Sequence, residues 1–326
     1  MTRDGRTIPD RYRPAHRLIG EVYDAAVAAV DPVRATASAI GFDGGVLTVG
    51  ATAIPSRGRI LVVGMGKAST GMAVGVERRL GSAVAGGLVV TKDGHRVDPL
   101  PRRIEVIEAA HPLPDERSLA AGERLLDLVG ETTPDDIVVA VISGGGSALA
   151  EALRPPLTLA DLRTVTDLLL RAGATIGELN AVRRAMSRIK AGGLLAASGA
   201  PVVPIILSDV VGNDLGSIAS GAAVPGQPVP EQARAGSAVL RRRGIADQVP
   251  DAVRSLLEVL GDRGEQAPIP VGPSPVFVGD NASAVSAMVA AAASHGLRVL
   301  RPVAWQDREG EAAALGREFV ATCLGS

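Results

Sequence analysis

The sequence predicts an α/β fold: a Rossmann-like N-terminal domain built on a mostly parallel sheet, followed by a partial second α/β domain. Two observations predict it. Short apolar runs rich in Val, Ile and Leu alternate along the chain with stretches whose apolar residues recur at helical spacing. Several of those runs lead directly into loops carrying glycine, serine or aspartate, as strands of a parallel sheet do at their C-terminal ends. The length, 326 residues, exceeds that of one ordinary domain. A boundary is expected at residue 235, with 1–235 as the first domain and 236–326 as linker and partial second domain.

The elements follow in order. Residues 1 to about 15 are polar. From Leu18 the apolar positions 18, 19, 22, 25, 26 and 29 share a helical face, and Asp31-Pro32 stops or restarts that helix. Residues 41–58 carry glycine and proline punctuation around apolar residues and read as a strand pair or hairpin. The run from Ile60 is a buried strand ending at Gly64-Met65-Gly66-Lys67, with a helix behind it. Strands are expected at 86–91, 104–109, 137–142 and 202–207. Helices are expected at 116–129, 159–172 and 178–197. Proline and glycine enrich 222–235 and 264–275. Beyond them a strand at 276–279, a helix at 281–294, a strand at 297–303 and a helix at 309–322 form a βαβα unit.

Composition narrows the partners. The formal net charge is −1, and no Lys/Arg stripe interleaves with aromatics, so nucleic acid is not expected to bind. The single Cys323 permits no internal disulfide and suits a reducing compartment. No leader pattern opens the chain, and no run approaches the roughly 20 apolar residues of a membrane span, so the expectation is a cytoplasmic protein without membrane contact. Aromatics make up only 2% of residues, so the core must be aliphatic.

Three loops carry the chemistry, and a parallel sheet would gather them in one crevice. The first holds Lys67, one of only three lysines among 34 basic residues. A lysine is a compact, rotatable point charge that can follow a moving phosphoryl group, whereas arginine is a rigid fork. Gly64 and Gly66 frame a turn that would present backbone N–H groups to an anion at a helix start. The loop is not a Walker A motif, since Leu61 replaces its leading glycine and Ala68 follows the lysine. It is not a dinucleotide fingerprint either, since Ser69 replaces the third glycine. A solvated lysine at a helix start is the plainer alternative.

The second loop, Ser143-Gly144-Gly145-Gly146-Ser147, offers successive amides flanked by hydroxyls, a concave site for phosphate or carboxylate. A flexible turn is its alternative. The third places Asp209 directly after a buried strand, where a carboxylate can take a hydroxyl proton or hold Mg²⁺. Both tasks belong to phosphoryl transfer. Asp214 follows five positions on and reads equally as a turn aspartate. Asn180, Arg183, Arg184, Arg188 and Lys190 fall on one expected helix, where Asn180 and Arg183 would point together at an anion, or else form a solvated basic face. His95 and His111 sit in turns with no second histidine at ligand spacing.

Six blocks in order resemble the class II glycerate kinases (glycerate 2-kinases, the DUF4147/MOFRL family). They are VVGMGKAS at 62–69, HPLPD at 111–115, SGGGSAL at 143–149, LNAVRRAMSRIKAGGLLA at 179–196, SDVVGNDLGSIASG at 208–221 and GDNASAV at 279–285. The resemblance implies ATP- and Mg²⁺-dependent phosphorylation of D-glycerate at its 2-hydroxyl, in a cleft between two α/β domains. Family members have also been labelled hydroxypyruvate reductases. By the same resemblance Lys67 would hold a phosphate, Ser143 to Ser147 would bind nucleotide or substrate anions, Asn180, Arg183 and Lys190 would line the cleft, and Asp209 would be the acid/base or Mg²⁺-facing carboxylate. The sequence departs from the family in reading Ala222-Ala223-Val224-Pro225-Gly226 after Gly221, and in placing Asn213 where an aspartate is usual. It also ends before the family's MOFRL part. That ending leaves one expectation beside a working kinase, a split enzyme completed by a separately encoded MOFRL partner or a non-catalytic relative that binds nucleotide or a small hydroxy acid. The family label leaves another, a hydroxypyruvate reductase, and a homo-oligomer is the alternative partner.

Overall fold

The computed structural model describes residues 9–264, 269, 271–300 and 310–323. Helix α1 (Arg13–Ala29) is followed at once by α2 (Pro32–Ser38), because Asp31 accepts the Arg34 amide at 2.8 Å and caps the restart with Pro32 as the first helical residue. The expected strand pair is a three-stranded antiparallel meander, β1 (Ile40–Asp43), β2 (Val46–Val49) and β3 (Thr52–Pro55).

The main sheet then begins with β4 (Ile60–Met65), helix α3 (Ser69–Leu80), β5 (Val84–Lys92), β6 (Ile104–Ala109), α4 (Glu116–Gly130) and β7 (Ile137–Ser143). A one-turn helix α5 (Gly146–Leu149), then α6 (Leu159–Arg171), α7 (Ile176–Met186) and a short α8 (Gly193–Ala197) lead to β8 (Val202–Leu207). Helices α9 (Val229–Arg242) and α10 (Asp251–Gly261), strand β9 (Val276–Gly279), and helices α11 (Asn281–Ser294) and α12 (Ala312–Cys323) complete the described chain.

Six strands form one sheet in the order β6-β5-β4-β7-β8-β9, parallel at every pairing. Alternate residues face opposite layers. Val63, Met65, Leu88, Val90, Val138 and Ile142 pack with α4 and α8, whereas Val62, Val89, Val139, Val141, Val203 and Ile205 pack with α3 and β2. Both faces are therefore dry, which is why these strands read as continuous apolar runs rather than alternating ones. A separate aliphatic cluster joins α6, α7, α9 and α10.

The topology positions the site. After β4 the chain builds outward through β5 and β6, then returns to the other side of β4 as β7. The order reverses between β4 and β7, and a crevice opens outside the C-terminal ends of strands at such a reversal. The loops after β4 and β7 flank it, and the loop after β8 lies next to them.

Three expectations change. The helix expected over 178–197 ends at Met186: Ser187 bridges to Leu153, and Ala191 and Gly192 take left-handed backbone (φ 49° and 86°) before α8 starts. The boundary expected at 235 falls inside α9, and β9 joins the same sheet as β8, so the strand of the expected second unit extends the first sheet. Of the strand expected at 297–303, residues 297–300 are not strand and 301–303 lie outside the described residues.

Candidate active site

Gly66 sets the geometry of the first loop. Its φ is 136°, and a Cβ there would lie 2.2 Å from Ser143 Oγ and 2.5 Å from the Ser143 carbonyl oxygen, so no larger residue fits between β4 and β7. The turn is knitted into its surroundings. The amides of Gly66, Lys67 and Ser69 donate to the carbonyls of Val90, Gly144 and Gly66, and the Ala68 amide donates to Ser143 Oγ at 3.0 Å. The amide cradle expected here is therefore already occupied, and the Lys67 side chain is what this loop offers an anion. Gly64 is not in the turn at all. It lies buried within β4, where a Cβ would meet Val141 at 2.4 Å, so its role is close strand packing rather than ligand contact.

The second loop is the opposite case. Among the described residues, the amides of Gly144, Gly145, Gly146 and Ser147 donate to no backbone carbonyl. Gly145 is left-handed (φ 83°), which turns the chain from β7 into α5. Successive amides in such a turn converge on an anion. Three side chains press on this loop. A Cβ on Gly144 would lie 1.9 Å from Asp209 Oδ2, and one on Gly145 would lie 2.9 Å from Lys67 Cε and 3.0 Å from His111 Cδ2.

Lys67 Nζ and Asp209 Oδ2 are 3.4 Å apart, with their side chains 36% and 52% exposed. A pair this exposed is worth at most about 1 kcal/mol, so an incoming anion can draw the lysine away at little cost. His111 joins them from the loop after β6. Burial, then the Lys67 and Lys92 charges, hold its imidazole pKa below the ordinary value against the opposing pull of Asp209. The spacing of histidines could not show this placement; the one signal was that His111 opens the HPLPD block shared with the family.

The α7 residues divide. Arg183 donates from Nη2 to the Ser147 carbonyl at 2.9 Å, tying α7 to the glycine loop, while its Nε is buried without a partner. Asn180 is buried, only 6% exposed. Lys190 does not line the crevice. Its side chain is fully buried and pairs with Glu151 at 2.6 Å, while Ser187 Oγ and the Ala152 amide also donate to that carboxylate. Burial pushes the Lys190 pKa down to about 8, with Glu151 pulling the other way. Chain separation hid this pair: Glu151 lies 39 positions away and follows a loop, so no helical spacing links them. Ser147 Oγ also shares a 2.8 Å hydrogen bond with Ser220 Oγ.

No group of three or more His, Cys, Asp or Glu among the described residues could hold a metal ion. One half-exposed carboxylate beside a donor-rich loop nonetheless fits Mg²⁺, which is commonly held by one or two carboxylates with waters and substrate phosphates. Among the described residues no helix is long and apolar enough to cross a membrane.

The chain as a whole is similar to known proteins. A family model described as a domain of unknown function (DUF4147) matches residues 18–258. A glycerate 2-kinase from Pyrococcus horikoshii is 39% identical over 249 residues, 76% of this chain and 54% of that protein. A protein from Agrobacterium vitis named as a hydroxypyruvate reductase is 38% identical over 315 residues, 96% of this chain and 66% of its own length. The crystal structure of a glycerate kinase from Thermotoga maritima superposes with a TM-score of 0.71 at 29% identity, covering 87% of this chain and 64% of that one. The chain thus spans less than two thirds of the length of each of these relatives.

Proposed function

The chain belongs to the DUF4147 family of class II glycerate kinases, and from that premise we propose that it transfers the γ-phosphoryl group of ATP to the 2-hydroxyl of D-glycerate. The observation that carries the proposal is the meeting of Lys67, Asp209 and the free amides of Gly144 to Ser147 at the β4/β7 switch point. Phosphoryl transfer asks mainly for positioning and for charge stabilisation around a group that is never held covalently. The loop amides cradle phosphate oxygens. Lys67 moves from Asp209 to the transferring group and offsets its charge. Asp209, freed from the lysine, accepts the proton of the acceptor hydroxyl or faces the Mg²⁺ that accompanies the nucleotide. That ion, when bound, draws charge from the phosphate oxygens. Arg183 keeps the loop in place through Ser147.

A two-domain cleft and a partner segment belong to the same proposal and are drawn from the family resemblance, and a cytoplasmic location, which the single Cys323 suits, belongs to it too. The reductase reading finds less support. The turn at Gly66 spends its amides internally, and Ser69, in the place of the third glycine of a dinucleotide loop, is fully buried with its hydroxyl on the Val90 carbonyl at 2.8 Å.

The test is product identification. Purified protein with ATP, Mg²⁺ and D-glycerate, followed by ³¹P NMR, should yield ADP and 2-phosphoglycerate, and hydroxypyruvate should provoke no NADH consumption. A spectrum with no phosphoglycerate signal above the enzyme-free control would end the proposal.

A further inference from the structure

A cavity of about 550 Å³ opens beside the glycine loop, with Arg184, Leu215, Ser220, Val224 and Gln232 among its walls. It shares a wall with the crevice. Ser220 reaches Ser147 Oγ at 2.8 Å, and a Cβ on Gly146 would touch the Ala219 Cβ at 2.8 Å. The wall is strained where it meets the loop: Ala219, Ser220 and Gly221 are all left-handed, with φ of 47°, 55° and 73°. For residues other than glycine that conformation costs roughly 1–2 kcal/mol each, and such strain concentrates at ligand sites.

Two polar side chains of this cavity each carry a buried atom without a hydrogen-bond partner among the described residues. The Arg184 guanidinium makes a single hydrogen bond, Nη2 to the Gly216 carbonyl at 2.6 Å, and its Nε is buried with none. Asp214, the nearest acid, spends Oδ2 on the Ser217 hydroxyl at 2.6 Å. Gln232 is only 4% exposed. Its Nε2 donates to the Gln227 carbonyl at 2.6 Å, which fixes the orientation of the amide, because a carbonyl can only accept. Oε1 therefore points the other way and has no donor. The cavity thus presents a cation with one hydrogen bond and Asp214 as its acidic neighbour, together with an acceptor that has no donor among the described residues, and a buried polar atom left unpaired is costly.

We propose that this cavity binds the acceptor acid of the kinase reading, with Arg184 taking the carboxylate and Gln232 Oε1 accepting from a hydroxyl. The proposal rests on that reading and deepens it. A hydroxy acid carries both complements in one small molecule. A simple carboxylate would satisfy Arg184 and leave Gln232 unpaired. A three-carbon acid does not fill the volume, so polar matching rather than shape selects the ligand.

The test compares KM values. Replacing Arg184 by glutamine (Arg184→Gln) should raise the KM for D-glycerate by roughly tenfold to a hundredfold, the loss expected for a hydrogen bond to a charged group. The KM for ATP should not move, and Arg184→Lys should fall between. Gln232→Leu is the second variant, which removes the acceptor and keeps the bulk, and it should shift the same KM. Thermal melts confirm that each variant is folded. An unchanged glycerate KM in the folded variants, or an ATP KM that rises equally, overturns the proposal and leaves the kinase reading standing. If the wild type turns over no D-glycerate, the kinase reading fails by itself. Calorimetric titration with D-glycerate then decides: binding to the wild type that is lost in Arg184→Gln keeps the cavity assignment, and absence of binding to the wild type removes it.

Discussion

Lys67 and Asp209 lie 142 positions apart in the chain and 3.4 Å apart in space, brought together by the parallel pairing of β4 and β8 on either side of β7. The ion pair is half-exposed, so its value lies in what it can release rather than in stability. Replacing Lys67 by alanine should leave the melting temperature almost unchanged and lower kcat by about a hundredfold to a thousandfold, the usual loss when one stabilising donor is removed from a transition state. Lys67→Arg should restore little of it, because a planar fork cannot follow the transferring group as a compact, rotatable ammonium does.

Gly144→Ala separates site geometry from stability. The new Cβ would fall 1.9 Å from Asp209 Oδ2, the end of an exposed side chain that can swing aside. Stability should drop by about 1 kcal/mol or less, whereas kcat should fall severalfold or more as the carboxylate leaves the crevice. Denaturant unfolding and steady-state kinetics on the same preparation measure both.

The buried Lys190–Glu151 pair makes the opposite prediction. Removing only the lysine, as Lys190→Met, strands a buried carboxylate and should cost about 3–5 kcal/mol. Adding Glu151→Gln keeps an acceptor for Ser187 and Ala152 while removing the charge, and should recover a substantial part of that loss. Urea midpoints of the single and double variants check it.

Acid sensitivity should come partly from Glu178. Its carboxylate accepts from Arg243, from the Thr175 amide at 2.9 Å and from Arg242, which tie the start of α7 to the end of α9. Those partners, Arg243 first, lower its pKa from the ordinary 4.5 to about 2. Between those values the unfolded chain binds the proton and the folded chain does not. The contribution is therefore complete above pH 4.5 and lost as the pH falls toward 2. Glu178→Gln should lower stability at neutral pH and flatten the curve over that range.

What could be read from the sequence was local in origin. The strands of the parallel sheet, the glycine loop after β7 and the aspartate after β8 each announce themselves within a few residues, and the parallel topology then forces them together. What could not be read depended on distant or unusual backbone. α7 stops at Met186, where Ser187 turns extended to bridge Leu153, and this ends the helix that would have carried Lys190 to the crevice. His111 and Ser220 reach the glycine loop only through tertiary packing. The proline and glycine residues of 222–235 serve a loop and the start of α9, whose apolar face packs on α7.

The central claim is that the crevice holding Lys67 and Asp209 transfers a phosphoryl group to D-glycerate. Its most direct test is the rate of ADP and 2-phosphoglycerate formation by the wild type and by Asp209→Asn, at saturating ATP, Mg²⁺ and D-glycerate. The wild type should turn over, and a folded Asp209→Asn variant should lose about a hundredfold or more, the contribution expected of a positioned proton acceptor. Equal rates in the two proteins, or no product from the wild type, would contradict it.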